Sequence, residues 1–84
     1  MEICYITFRS VTYAQRGERV LSGSEIGCTL QRTPKWMEQQ GCGYCLRLRM
    51  GDVHRAVELL RQKQVPLRRV YVQNSDGRMK EMGL

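Results

Sequence analysis

The chain has 84 residues and a mass of 9.8 kDa, which fits one domain with a single small core. Hydrophobic residues make up 42% of it and charged residues 26%, which is ordinary for a globular protein. No apolar segment approaches the roughly 20 residues that a membrane span requires. The formal net charge of +6 favours encounters with anionic partners such as nucleic acids, acidic proteins or small anions, although it also suits an ordinary solvated surface.

The first predicted element is a strand over residues 3–8, ICYITF, which is apolar and rich in β-forming residues. The N-terminus has neither the basic lead nor the small-residue cleavage site of a signal peptide. We therefore expect a cytoplasmic protein that makes no membrane contact.

A helix is predicted next, with Ser10 as its N-cap and Gly23 at its end. Its inward stripe recurs at helical spacing and consists of Val11, Ala14, Gly17 and Leu21. Gly17 weakens a helix by about 1 kcal/mol relative to alanine. A residue this small would also let the helix lie close to a sheet.

Two alternating strands are predicted on either side of a loop over residues 32–41, in which one helical turn around Trp36 is an option. The strand over 26–31 turns Ile26, Cys28 and Leu30 inward. The strand over 44–49 turns Tyr44, Leu46 and Leu48 inward and Cys45, Arg47 and Arg49 outward.

A second helix is predicted after Asp52 as its cap, and Pro66 marks its end. A last strand follows over 67–73. The order β-α-β-β-α-β predicts an α+β fold, a ferredoxin-like two-layer sandwich with an antiparallel sheet. Residues 1–73 would form this domain, and the turn-rich residues 74–84 a flexible C-terminal tail.

The stretch QQGCGYCLRLR places Cys42 and Cys45 at Cys-x-x-Cys spacing just before a strand. Residues three apart on a strand point to opposite faces and lie about 10 Å apart, whereas a disulfide needs Cα atoms within about 7 Å. Gly41 and Gly43 accept positive φ, so a turn that brings the two thiols together costs little. A Cys42–Cys45 bridge is therefore allowed but not required.

Cys42 lies between two glycines and is expected to be accessible. Lys35, Arg47 and Arg49 are cations near it in the sequence, and a cation favours the reactive thiolate. The alternative is that Cys42 is merely a loop residue between turn glycines.

A zinc site is not favoured, and no metal or cofactor is predicted. Zinc needs about four ligands, whereas the Cys-x-x-Cys supplies two. Cys4 and Cys28 fit the pattern of small core residues, and His54 fits an exposed helix position.

The open face of the predicted sheet offers a second candidate site. It carries three arginines and two tyrosines: Arg47, Arg49, Arg69, Tyr5 and Tyr71. Arginines and aromatic rings on such a face are typical of RNA-binding platforms, although the third strand lacks the RNP1 pattern. An ordinary solvated face or a dimer interface remains the alternative.

The run TPKWMEQQGCGYCLRL, preceded by YITFRSVTYAQRGERVL and followed by DVHRAVELL and VPLRRVYV, resembles the family of small selenium/sulfur carrier-like proteins. The resemblance covers residues 3–73, and its sharpest part is Gly-Cys-Gly. Cys45 and Trp36 stand apart from the part of the motif that we recognise.

The resemblance implies that Cys42 carries sulfur or selenium as a persulfide or selenopersulfide. Gly41 and Gly43 would shape its loop, and Cys45 would be a resolving thiol or an ordinary strand residue. The implied partners are a donor protein such as a cysteine desulfurase and an acceptor protein, with nucleic acid less favoured. Such a protein is a carrier rather than an enzyme with turnover. A basic module that binds RNA or an acidic protein, and a thiol–disulfide redox protein using Cys42 and Cys45, remain the alternatives.

Overall fold

The computed structural model of the protein describes residues 2–34 and 43–83. The elements in chain order are β1 (Ile3–Thr7), α1 (Val11–Gly23), β2 (Cys28–Arg32), β3 (Tyr44–Arg49), α2 (Val53–Gln62), β4 (Arg69–Gln73) and β5 (Met79–Met82). The strands of the described ranges form a five-stranded antiparallel sheet in the order β2-β3-β1-β4-β5. The predicted α+β fold with an antiparallel sheet is therefore confirmed.

One face of this sheet, here called the helix face, is buried against both helices. Its buried residues on the three central strands are Cys4, Ile6, Leu46, Leu48, Val70 and Val72. They join one core with residues of the helices: Ala14, Leu21, Val53, Ala56, Val57 and Leu60. The apolar stripes of the two helices thus supply the half of the core that the sheet lacks.

Helix α1 begins as predicted and buries Ala14, Gly17 and Leu21 of its predicted stripe, whereas Val11 is exposed. The Tyr13 N–H donates to Ser10 Oγ at 3.2 Å, so Ser10 is the N-cap. A Cβ added to Gly17 would lie 3.1 Å from Phe8 Cζ and 3.3 Å from Leu46 Cδ1. Glycine at this position therefore allows the helix to lie directly on the sheet.

Both helices end in the same hydrogen-bond pattern. After α1, Glu25 takes the left-handed conformation at φ 62°, and the Ile26 N–H donates to the Leu21 carbonyl at 2.9 Å. After α2, Gln64 takes φ 57°, and the Val65 N–H donates to the Leu60 carbonyl at 2.9 Å. These are Schellman ends, in which a buried apolar residue follows the left-handed one. The predicted stop at Gly23 is thus the last helical residue, and Glu25 makes the turn.

The prediction that Asp52 caps α2 with its side chain is wrong. Asp52 directly precedes the helix, but its side chain makes no capping hydrogen bond. Its backbone lies at φ −103° and ψ −3°, not in the extended region from which a side-chain oxygen reaches the first turn. A 3-10 turn over Met50–Asp52 holds it there, and its carboxylate lies 3.5 Å from the Arg49 guanidinium.

Strand β2 begins later than predicted, at Cys28 instead of Ile26, because the Ile26 N–H already serves the end of α1. The C-terminal segment differs more. Residues 74–78 form a turn in which Gly77 has φ 87°, and β5 then pairs with β4. The expectation of a tail without secondary structure is therefore wrong for Met79–Met82, although the division at residue 73 stays a prediction. The helical turn predicted around residue 36 lies outside the described residues.

Candidate functional site

Gly43 follows Cys42 in the chain and stands at the start of β3. It is buried and has φ 83°, a conformation that L side chains rarely adopt. Its carbonyl accepts a hydrogen bond of 2.8 Å from the N–H of Thr33, which directly follows β2. Residue 43 is therefore a turn position at which glycine is required, in keeping with a loop shaped by glycine.

Four residues of the sequence-predicted site or its loop lie outside the described part of the chain: Lys35, Trp36, Gly41 and Cys42. The roles assigned to them stay predictions, and the alternative of a Cys42–Cys45 bridge stays open. The described members of the predicted site are Gly43, Cys45, Arg47 and Arg49.

Cys45 lies on the face opposite the helices, here called the open face, as the alternation of β3 predicts. In the register of the sheet it faces Thr7 on one side and Gln31 on the other. Its exposed fraction is 0%, whereas a strand residue pointing outward is expected to be solvated. The outward direction is confirmed, but Cys45 is a buried thiol.

Arg47 and Arg49 are both exposed, and they follow Cys45 along the open face. Arg49 is six residues from Gly43, about 20 Å along an extended strand. It pairs in the sheet with Ile3 at the opposite end of β1 and forms its ion pair with Asp52 there. Since screening limits exposed charges to about 8 Å at physiological salt, Arg49 is too distant to act on a group at Gly43.

Closer cations come from strand ends that the sequence analysis did not connect with the site. Here the end of the sheet that carries Gly43 is called the arginine end, and its arginines are Arg32, Arg68 and Arg69. Arg32 pairs with Tyr44 in the sheet, and its guanidinium lies 5.6 Å from the centre of that ring. The Arg68 N–H donates to the Thr7 carbonyl at 2.7 Å, and Arg69 faces Thr7 in the sheet.

Part of this charge is already compensated. The Arg69 guanidinium donates to Glu81 Oε1 at 2.9 Å. Only the pairing of β2 with β3 and of β4 with β1 brings the arginines to one end. The sequence pattern alone cannot show that these arginines share one end of the sheet. The signal it offers is an arginine at the end of one predicted strand and another at the start of a second.

The remaining described cysteines, Cys4 and Cys28, are free thiols. Burial, and the nearby Glu2 carboxylate to a lesser degree, raise the pKa of Cys4 to about 11. Its Sγ also donates to Met50 Sδ at 3.1 Å. Burial and the charge of Glu18 raise the pKa of Cys28, against a lowering hydrogen bond from Ser22. Both thiols are therefore poor nucleophiles at neutral pH, as expected for core residues.

Within residues 2–34 and 43–83, no three His, Cys, Asp or Glu side chains are grouped so that they could hold a metal ion. His54 is exposed on α2, as predicted. No helix in the same ranges is long and apolar enough to cross a membrane.

Comparison with known proteins adds one finding. A family model described as "Putative Se/S carrier protein-like" matches residues 3–72, which is most of the chain. No curated protein and no solved structure matches it. The matched range runs from the first residue of β1 almost to the end of β4 and includes the Gly-Cys-Gly sequence. The chain therefore belongs to this selenium/sulfur carrier-like family.

Proposed function

We propose that the protein carries sulfur or selenium between proteins as a persulfide or selenopersulfide on Cys42. The observation that carries this proposal is the family match, which includes the cysteine directly before the left-handed Gly43. Cys4 and Cys28 are less suited to the role because both have a raised pKa.

The loading step is a thiol exchange. The Cys42 thiolate attacks the outer sulfur of a persulfide on a donor protein such as a cysteine desulfurase. A new S–S bond forms on Cys42, the donor S–S bond breaks, and the donor cysteine leaves as a thiolate. The reverse chemistry delivers the sulfur to an acceptor, and selenium follows the same course. Cys42 is oxidised to the persulfide level as the donor cysteine is reduced to a thiolate, so the exchange needs no other oxidant, and the protein carries one sulfur atom per loading step.

The arginine end suits this chemistry. A persulfide and a thiolate are both anions, and positive charge beside a sulfur atom lowers its pKa. Arg32 pairs in the sheet with Tyr44, which follows Gly43, whereas Arg68 lies at the same end of the sheet but two strands away from β3. We infer that Arg32, more than Arg47 or Arg49, favours the anionic sulfur, and that the arginine end attracts an acidic surface on the donor.

We assign Cys45, the second cysteine of the Cys-x-x-Cys, a packing role. As a resolving thiol it would attack the Cys42 sulfur, form a disulfide and release hydrogen sulfide. Its exposed fraction of 0% disfavours attack from an unperturbed strand. Attack of Cys45 on the Cys42 persulfide would then require a local opening of β3.

We also infer that the first four strands and two helices are a ferredoxin-like sandwich to which β5 adds an edge. The inference is supported by the order β2-β3-β1-β4 and by the matching Schellman ends of the two β-α-β halves. A cytoplasmic location remains part of the proposal, because the chemistry needs reduced thiols.

Intact-mass spectrometry under non-reducing conditions tests the carrier. The protein is incubated with a cysteine desulfurase and cysteine, and wild type is compared with Cys42→Ala, Cys45→Ala and Cys28→Ala. We expect one added sulfur atom, removable by reductant, in every protein except Cys42→Ala. A loss of two hydrogens that requires both Cys42 and Cys45 would instead indicate a redox pair and contradict the proposal.

A further inference from the structure

A row of four side chains crosses the open face of the sheet. The register places Arg47 of β3 beside Tyr5 of β1, Tyr5 beside Tyr71 of β4, and Tyr71 beside Glu81 of β5. Residues directly opposite in antiparallel strands have Cβ atoms about 5 Å apart, so the two tyrosines are immediate neighbours. Both are half-buried, which leaves part of each ring at the surface.

The charge around the two rings is mainly positive. Arg47 is exposed directly beside Tyr5, and Arg49, which forms an ion pair with Asp52 at 3.5 Å, is exposed next to it on the same strand face. Arg69 and Glu81 compensate each other at 2.9 Å on the other side of the tyrosines. The open strands of β1, β3, β4 and β5 therefore present three arginines and one glutamate.

We propose that this face binds single-stranded nucleic acid, with bases stacked on Tyr5 and Tyr71 and phosphates held by Arg47 and Arg49. The tyrosines and arginines of this face favour nucleic acid over an acidic peptide. The face of an aromatic ring carries partial negative charge and repels a carboxylate, so the tyrosines do not suit an acidic peptide. A base stacks on such a ring, while its phosphate needs the arginine alongside.

A second copy of the chain fits this face poorly. Two open faces placed together would bring arginines near one another, while Asp52 and Glu81 already pair with Arg49 and Arg69 within each copy. Each copy would also bury an exposed Arg47 beside the tyrosines, and a buried charge without a partner is costly. The binding function is independent of Cys42, which gives the chain two separable activities.

Fluorescence anisotropy with a 5′-fluorescein decauridine, and with the DNA oligomer of the same length, tests the proposal at low salt. We expect Tyr5→Leu and Tyr71→Leu to weaken binding about tenfold each, since a stacked base contributes a factor of that order. Tyr5→Phe keeps the ring and should bind like wild type. Arg47→Gln should weaken binding and lower the slope of log K against log salt by about 0.7.

Three control variants separate the proposed site from general attraction to a basic protein. Tyr13→Leu changes an aromatic residue on α1, Arg61→Gln removes an exposed charge on α2, and Cys42→Ala removes the carrier thiol. All three should bind like wild type, and circular dichroism establishes that every variant is folded. Three results would each overturn the proposal. They are equal weakening of binding by Arg61→Gln and Arg47→Gln, unchanged binding in both Tyr5→Leu and Tyr71→Leu, and no binding by wild type.

Discussion

At the scale of single residues, the burial of a thiol determines its reactivity more than its position in a motif does. Cys4 has a pKa of about 11, against an ordinary value of 9.0. At about pH 8 this difference of two units lowers its thiolate fraction about 100-fold. We expect iodoacetamide to modify Cys4 at least that much more slowly in the native protein than in urea, as measured by peptide mass spectrometry. Similar rates in the two states would contradict the assigned burial.

The same shift has a consequence for stability. Because the folded pKa of Cys4 lies above the unfolded value, protonated Cys4 stabilises the folded protein below pH 9.0. That contribution is lost as the pH rises towards 11, since the unfolded chain releases the proton first. The free energy of unfolding should therefore fall over this range more steeply in wild type than in Cys4→Ala.

The arginine end makes a prediction that distinguishes near from distant charges. Arg32→Gln removes a cation from the strand end that meets Gly43, whereas Arg49→Gln removes one at the far end of β3. We expect Arg32→Gln to slow the alkylation of Cys42 about two- to threefold, because less of the thiol is ionised. Arg49→Gln should leave the rate unchanged, owing to distance and screening. The opposite ranking would place the controlling charge on the open face.

Residue-scale features were only partly predictable from the sequence. The alternation of β3 correctly gave the face of Cys45, but alternation reports direction and not depth, so the burial of this thiol was missed. The glycine at position 43 was predicted to suit a turn, and its positive φ agrees. Arg32 and Arg68 were missed because only the strand pairing places them at the end of the sheet that carries Gly43.

At the scale of elements, the helix ends store backbone strain that glycine would relieve. Glu25 and Gln64 adopt left-handed conformations that cost a residue with a Cβ about 1 kcal/mol or more. Glu25→Gly and Gln64→Gly should each stabilise the protein by about 0.5–1 kcal/mol, as measured by urea denaturation. As a control, Glu58→Gly inside α2 should destabilise by about 1 kcal/mol. Destabilisation by the first two variants would refute the Schellman assignment.

Of the seven helices and strands in residues 2–34 and 43–83, the sequence predicted six, because each carries a clear period, 3.6 residues for the helices and 2 for the strands. Their ends depend on local hydrogen bonds that the period does not report. Ser10 caps as predicted, whereas Asp52 follows a 3-10 turn that removes it from capping geometry. Strand β5 was missed because MKEM has two charged residues at its centre and no apolar alternation.

At the scale of the whole molecule, β5 completes the sheet. Met82 packs against the core, and Glu81 forms the ion pair with Arg69. A chain that ends at Gln73 should fold, because residues 2–73 contain every other described element, but it should lose about 1–2 kcal/mol through the uncovered core and edge. Glu81→Gln should cost under 1 kcal/mol, because exposed ion pairs contribute little. Equal stability of the full and shortened chains in urea would contradict a structural role for β5.

The assembled sheet relates the two proposed activities in space. The arginine end lies at Gly43, while the tyrosine row crosses the middle of the open face, two residues along β1 from the Cys45–Thr7 pair. The sequence alone indicated Cys42 with its two flanking glycines and the arginines and tyrosines of the open face, but not Arg32 or Arg68. The strand register distinguishes the two sites. Arg47 and Arg49 follow Cys42 closely in sequence, but they lie at increasing distance from Gly43 along β3.

Localisation of the transferred atom tests the central claim most directly. The protein would be loaded by a cysteine desulfurase, alkylated to trap persulfides, digested without reductant, and each cysteine peptide examined by mass spectrometry. We predict one additional sulfur on Cys42 and none on Cys4, Cys28 or Cys45, and its disappearance after incubation with a thiol acceptor. Sulfur on any other cysteine, or equal loading of Cys42→Ala, would contradict the assignment of Cys42 as the carrier residue.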